Sequence, residues 1–155
     1  MKTVGDGDCF FSCISYALFK QTGYSTLVRR YIVDHMEQIW KSEPHVRKLG
    51  FFWLQDLTGK YKNQSSSDVN LSVQEYLEGT KMRRTGIWAG SCEVETAAQF
   101  LCTTIRVWHI GNPKIPSIKW TTYGERFSTT SSSHVILLQW THGNHYDFIQ
   151  SLQGF

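Results

Sequence analysis

Apolar residues recur at helical spacing in the first two thirds of this chain and give way to strand-like runs in the last third. Phe10, Cys13, Ile14, Ala17 and Leu18 share one face of a helix predicted over Cys9 to Lys20, which Gly23 ends. Val28, Ile32, Met36, Ile39 and Trp40 form the stripe of a second helix from about Thr26 to Lys41, closed by Pro44. Between Val46 and Leu57 the apolar residues Leu49, Phe51, Phe52, Trp53 and Leu54 cluster without a clean period, which predicts a short helix or a packed loop. Gln64 to Ser67 reads as a surface loop. Ser72 and Glu75 then stand at the spacing of a capping box, opening a third helix that runs to about Arg83. In a fourth, from Ser91 to Thr103, Val94, Ala97, Ala98, Leu101 and Cys102 follow the i, i+3, i+4, i+7, i+8 pattern.

The remainder predicts strands. Thr104 to Ile110 is β-branched and aromatic, and Gly111-Asn112-Pro113 breaks it. Ile118 to Thr122 reads as an edge strand closed by Tyr123-Gly124, and Thr129 to Ser133 as a polar loop. His134 to Trp140 is the most apolar run, as a central strand should be. After a turn over Thr141 to Asn144, His145 to Gln150 returns as its antiparallel neighbour. Helices first and strands last indicate an α+β fold, with helices packed around a small, mostly antiparallel C-terminal sheet. No repeat or linker interrupts the pattern, and residues 1–155 read as one domain.

Composition narrows the function. Sixteen basic against thirteen acidic residues give a formal charge of +3, with no run of five or more like charges. That balance argues for no nucleic acid and no membrane as partner. Lys81, Arg83 and Arg84 read as a solvated helix end. The apolar stretch from Cys9 to Phe19 contains Ser12 and Ser15 and is preceded by two aspartates, where a signal peptide would be basic. Cys9, Cys13, Cys92 and Cys102 do not resemble a secreted disulfide framework, so the expectation is a soluble protein, a monomer by default, in a reducing compartment.

The chemistry lies at the two ends. In Asp6-Gly7-Asp8-Cys9 the thiol falls at a helix N-terminus, whose partial positive charge favours the thiolate. Gly7 permits a tight turn, and the amides of Gly7, Asp8 and Cys9 would be available to an oxyanion. The alternative is a buried, inert cysteine, the reading that suits Cys13 on the apolar stripe. In His145-Tyr146-Asp147, residues two apart share a strand face about 7 Å apart, so the carboxylate can orient the imidazole. Tyr146 points the other way, to packing or to a cleft rim. A thiol, a base and an orienting acid together point to a cysteine hydrolase. His142 and His145 lack the further ligands that zinc requires, so no metal and no cofactor are expected. His35, His45, His109 and His134 read as surface or satisfied core residues. Trp88-Ala89-Gly90, just before a helix, suits either a loop over which an extended chain lies or a core anchor. Glu93 and Glu95 favour the helix dipole and need no further role.

Three elements in order resemble the ovarian tumour (OTU) family of cysteine proteases: Asp6-Gly7-Asp8-Cys9 opening a helix, Trp88-Ala89-Gly90 with Glu93, and His145-Tyr146-Asp147 on the last strand. The resemblance spans essentially the whole chain. It implies a papain-like fold and a deubiquitinase that hydrolyses the isopeptide bond after the C-terminal glycine of ubiquitin, polyubiquitin or a ubiquitin-like modifier. By this resemblance Cys9 is the nucleophile, His145 the general base and Asp147 the orienting acid. Asp6 shapes the oxyanion loop with Gly7 and Asp8, or is itself the third triad member. Trp88, Ala89 and Gly90, with Asn144 and Tyr146 around the base, are the implied substrate-binding residues, and exposed positions between Thr22 and Leu57 would tune specificity. Ala89 departs from the commoner glycine. Only eight residues precede Cys9, which suits a minimal domain, a piece of a larger protein or a module of a viral polyprotein. The implied location is cytoplasmic, the host cytoplasm for a viral or effector protein. A non-catalytic ubiquitin-binding domain and a thiol hydrolase of another papain-like family are the alternative readings.

Overall fold

A computed structural model describes residues 6–40, 51–55, 61–65, 72–110, 120–124, 135–141 and 145–149. Four helices and six strands follow in chain order. They are α1 (Cys9–Phe19), α2 (Ser25–Trp40), β1 (Phe51–Gln55), β2 (Tyr61–Ser65), α3 (Val73–Thr80), α4 (Ser91–Leu101), β3 (Thr104–Ile110), β4 (Trp120–Tyr123), β5 (Val135–Thr141) and β6 (His145–Phe148). The α+β class, the helices flanking a C-terminal sheet and the antiparallel return of β6 match the sequence pattern. The expected breaks at 111–113 and 129–133, together with His45, His134, His142 and Asn144, lie outside the described residues.

The C-terminal sheet has the order β4-β3-β5-β6. It is mixed: β3 pairs antiparallel with β4 but parallel with β5, while β5 and β6 form an antiparallel hairpin with Thr141 opposite His145. The most apolar strand, β5, is interior as expected, and β4 is an edge. Helix α1 packs on β6 and α2, α2 on α4, and α4 on β3 and β4. Phe10, Phe11, Ile14, Ile32, Met36, Val94, Ile105 and Leu138 meet in the core between them.

Several boundaries differ from expectation. The segment over Val46 to Leu57 contains strand β1 rather than a helix or loop, and Gln64 and Ser65 belong to β2, its antiparallel partner. Neither strand alternates apolar and polar residues, so no period of two was visible. Helix α1 ends at Phe19, within a residue of the expected Lys20, which takes the left-handed conformation and whose amide bonds the Tyr16 carbonyl at 2.9 Å. Lys81 and Cys102 end α3 and α4 in the same conformation, so α3 does not reach Arg83. The Ser72–Glu75 capping box is present, with both reciprocal hydrogen bonds. Arg83 is not merely a solvated helix end: it bridges to Asp34 at 2.7 Å and to Glu37, both on α2.

Leu138 is fully buried in the interior strand, whereas Val135 on the same strand is exposed. Leu138→Ala is therefore expected to cost about 3 kcal/mol in urea denaturation. Val135→Ala should cost under about 0.5 kcal/mol. Equal losses at the two positions would contradict the placement of β5.

Candidate active site

The two ends of the chain meet at Cys9. Helix α1 carries it in its first turn, with only 1% of its surface exposed. Strand β6 lies alongside, and the Tyr146 amide donates to Cys9 Sγ at 3.4 Å. The Tyr146 carbonyl accepts from Cys13 Sγ at 3.6 Å. The two backbone groups of one residue thus grip two thiols a helical turn apart. Cys13 itself is fully buried, as its place on the apolar stripe implied.

His145, the preceding residue in the strand, is held by Asp147: Nε2 lies 3.0 Å from Oδ1. This is the i, i+2 geometry of a shared strand face. With Nε2–H donating to the carboxylate, Nδ1 keeps its lone pair. Nδ1 is buried without a hydrogen-bond partner among the described residues, which leaves it an acceptor for a thiol proton. The Tyr146 side chain, by contrast, does not line a cleft rim. It is buried, its ring 5.4 Å from that of Phe10, and its backbone bonds the thiols.

Asp6 turns its carboxylate onto the backbone, where Oδ1 accepts from the Asp8 amide at 3.0 Å. That amide, one of the expected oxyanion donors, is therefore already engaged. The first turn of α1 carries no side-chain cap, although Asp8 occupies the capping position. Burial pushes the Cys9 thiol up from its ordinary value, and the nearby Asp6 carboxylate adds to the rise. The amides of Tyr146, Phe10 and Cys9 itself pull it down, less strongly. The amides at the start of α1 thus act in the expected direction, and burial outweighs them.

The Trp88 loop follows directly on Gly86, whose amide donates to Asp8 Oδ1 at 3.0 Å. Trp88 is partly buried against the core, and Ala89 is a buried member of it. Gly90 caps α4, and its amide donates to Glu93 Oε2 at 2.9 Å. Glu93 is fully buried, and its other oxygen accepts from the Tyr76 hydroxyl at 2.6 Å. Its role thus exceeds the dipole interaction that sequence suggested. Glu95 does too, accepting from the Gly124 amide at 3.1 Å.

Arg29 is the buried residue beside the site that sequence reading missed. It is 1% exposed, and it links the nucleophile's loop to the segment before Trp88. A signal was present: Ile32, Val33 and Met36 lie three, four and seven residues on, so Arg29 stands on the buried face of α2. His109 meets the expectation of a satisfied histidine, with Nε2 2.7 Å from Thr121 Oγ1. Among the described residues no group of histidine, cysteine or carboxylate side chains could hold a metal ion, and no helix is long and apolar enough to cross a membrane.

Two outcomes follow. Gly7 has φ +86°, and a Cβ there would stand 2.0 Å from the Gly86 carbonyl oxygen. Gly7→Ala is expected to displace the nucleophile's loop and slow Cys9 alkylation by iodoacetamide about tenfold or more, read by mass spectrometry. Burial raises the Glu93 carboxyl above the ordinary carboxylate value. A raised acid contributes stability that is full below its unfolded pKa and is lost as pH rises through the folded one. Urea melts should therefore show Glu93→Gln removing a decline in wild-type stability as pH rises above the usual carboxylate range; identical slopes would contradict it.

The model of the family described as OTU-like cysteine protease matches residues 4–146. No curated protein matches significantly. Among solved structures, the chain is similar to the viral OTU domain protease from Qalyub virus, with a TM-score of 0.63 and 20% identity over 96% of this chain and 80% of that one. It is also similar to the Hazara virus OTU bound to ubiquitin (TM-score 0.66, 19% identity, 98% and 80% coverage). The OTUD1 OTU domain gives a TM-score of 0.62 at 18% identity, with 96% and 82% coverage. At these identities the structures establish a shared fold. With the family match over nearly the whole length, and with thiol, imidazole and carboxylate carried on α1 and β6, this chain belongs to the OTU-like cysteine protease family.

Proposed function

We propose that the chain is a deubiquitinase, a cysteine protease that cleaves after the C-terminal glycine of ubiquitin or a ubiquitin-like modifier. The observation that carries this reading is the joint placement of Cys9 against the Tyr146 amide at 3.4 Å and of His145 against Asp147 at 3.0 Å. Family membership supports a protease, and the ubiquitin-bound relative from Hazara virus supports ubiquitin as the partner.

In the proposed reaction Nδ1 of His145 takes the proton of Cys9, and Sγ attacks the carbonyl carbon of the terminal glycine. The carbonyl π electrons move onto oxygen, beside the amides of the first turn of α1. As the tetrahedral intermediate collapses, the C–N bond breaks and the lysine amine leaves with the proton from His145. A thioester remains on Cys9. Water then gives a proton to His145, attacks the thioester and releases the free carboxylate and the thiol. Asp147 keeps the imidazole in one tautomer and stabilises its charged form. Trp88 and the backbone of Ala89 and Gly90 would border a channel narrow enough to favour a Gly-Gly tail. The location that suits this substrate is the cytoplasm.

Intact mass after incubation with a ubiquitin vinyl-type electrophile tests the proposal. Wild type is expected to gain one ubiquitin and Cys9→Ala none, while His145→Ala should label about 100-fold more slowly. Labelling of Cys9→Ala would refute the nucleophile. Binding of ubiquitin without labelling or turnover would indicate a non-catalytic domain. Failure to recognise ubiquitin or any ubiquitin-like probe, with Cys9 still reactive, would indicate a different thiol hydrolase.

A further inference from the structure

Arg29 is the one cation fully buried among the described residues, and its guanidinium fans out over a seam between two loops. Nη1 donates to the Met82 carbonyl at 3.0 Å. Nη2 reaches the Ile87 carbonyl at 2.8 Å, the Gly7 carbonyl at 3.2 Å and Asp8 Oδ1 at 2.6 Å. Its plane is backed by the Phe11 ring, 4.0 Å from the centroid. Across the seam, Asp8 Oδ1 also accepts from the Gly86 amide at 3.0 Å.

The position of Asp8 gives these contacts their meaning. An aspartate at a helix N-cap ordinarily turns its carboxylate back onto the amides of the second or third residue. Here it makes no such bond. Arg29 and the Gly86 amide hold the carboxylate away, so its charge stays off the first turn of α1. Without the guanidinium, Asp8 would be drawn to the positive end of α1 and would place its charge where an oxyanion must form.

We propose that Arg29 is a positioning residue for the thiol chemistry, holding Asp8 off the N-terminus of α1 and locking the nucleophile's loop to the 82–90 segment in one register. Its effect on turnover rests on the deubiquitinase reading; the locking does not. Arginine suits the task because its rigid fork serves acceptors from both loops at once, whereas a lysine ammonium is a single flexible point. The far end of the same segment is tied separately, by Glu93 to the Gly90 amide.

Arg29→Lys and Asp8→Asn test this, each below its own melting temperature as followed by circular dichroism. Asp8→Asn keeps the test available if the arginine variant does not fold. Amide hydrogen exchange is read over 82–90, and kcat and KM with a fluorogenic ubiquitin C-terminal substrate. Exchange at Gly86 is expected to accelerate about tenfold or more in both variants. The kcat of folded enzyme should fall about 10- to 100-fold with KM little changed, because a misplaced oxyanion site is felt in the transition state. Unchanged exchange at Gly86, or a kcat that falls only with the folded fraction, would overturn the inference. Wild type without turnover would instead sink the deubiquitinase reading, and the exchange result would still decide whether Arg29 locks the two loops.

Discussion

The contact on which the molecule depends is that between the backbone amide and carbonyl of Tyr146 and the two thiols of α1. Strand β6 is an edge strand, and the Ile149 amide bonds the Leu137 carbonyl, which fixes the alternation of its ladder. Residues 145, 147 and 149 turn their backbone groups toward β5, so Tyr146 turns its amide and carbonyl outward. An unpaired edge of this kind is normally covered or charged. Here α1 covers it, and Cys9 and Cys13, four residues apart on one face, take up both groups. The same alternation keeps the backbones of His145 and Asp147 on the ladder. The closure of the fold and the assembly of the site are one packing event.

Buried charge then fixes what packing leaves loose. Taking Arg29 and Glu93 out of water is costly, and removing one partner of a buried ion pair typically costs about 3–5 kcal/mol. The Arg29 guanidinium is less basic than usual because of burial, with the Asp8 bond opposing the shift. These groups are poor investments in stability alone. Their partners include backbone groups of Gly7, Met82, Ile87 and Gly90, on the loops around Cys9 and Trp88. Apolar contacts hold a helix in place but do not fix the direction of a carbonyl or an amide. Directional, charge-assisted bonds do.

This division explains what was legible in the sequence. Helices α1, α2 and α4 bury one continuous stripe, so their period was plain, and β5 announced itself by its apolar run. Strands β1 and β2 were not legible, because Phe51–Gln55 and Tyr61–Ser65 have no alternation and pair chiefly with one another. Cys9, His145 and Asp147 stood out because their chemistry is carried by local spacing. The placement of the Tyr146 ring was offered as either packing or rim, and only the sheet decides for packing. Arg29 and Glu93 were passed over for a shared reason: a charged residue in an amphipathic helix is usually exposed, and its partners lie 53 and 17 residues away, at Met82 and Tyr76.

The buried thiol sharpens the division of labour in the proposed chemistry. A thiolate standing ready on Cys9 would need a polar surround, yet desolvation and the Asp6 carboxylate both favour the protonated form. The nucleophile is then best made on demand, by transfer of its proton to His145 as the carbonyl carbon approaches. That transfer creates an imidazolium, which Asp147 is placed to stabilise at 3.0 Å. It also creates negative charge at the N-terminus of α1, where helix amides can meet it only if no resident carboxylate is there first. The Asp8 carboxylate, anchored by Arg29, and the Asp6 carboxylate, turned onto the Asp8 amide, are both tied to other partners. Two acids stand beside a site that must accept an anion, and each is held by a specific bond. Control of those acids, as much as the triad itself, is what the local sequence around Cys9 must supply.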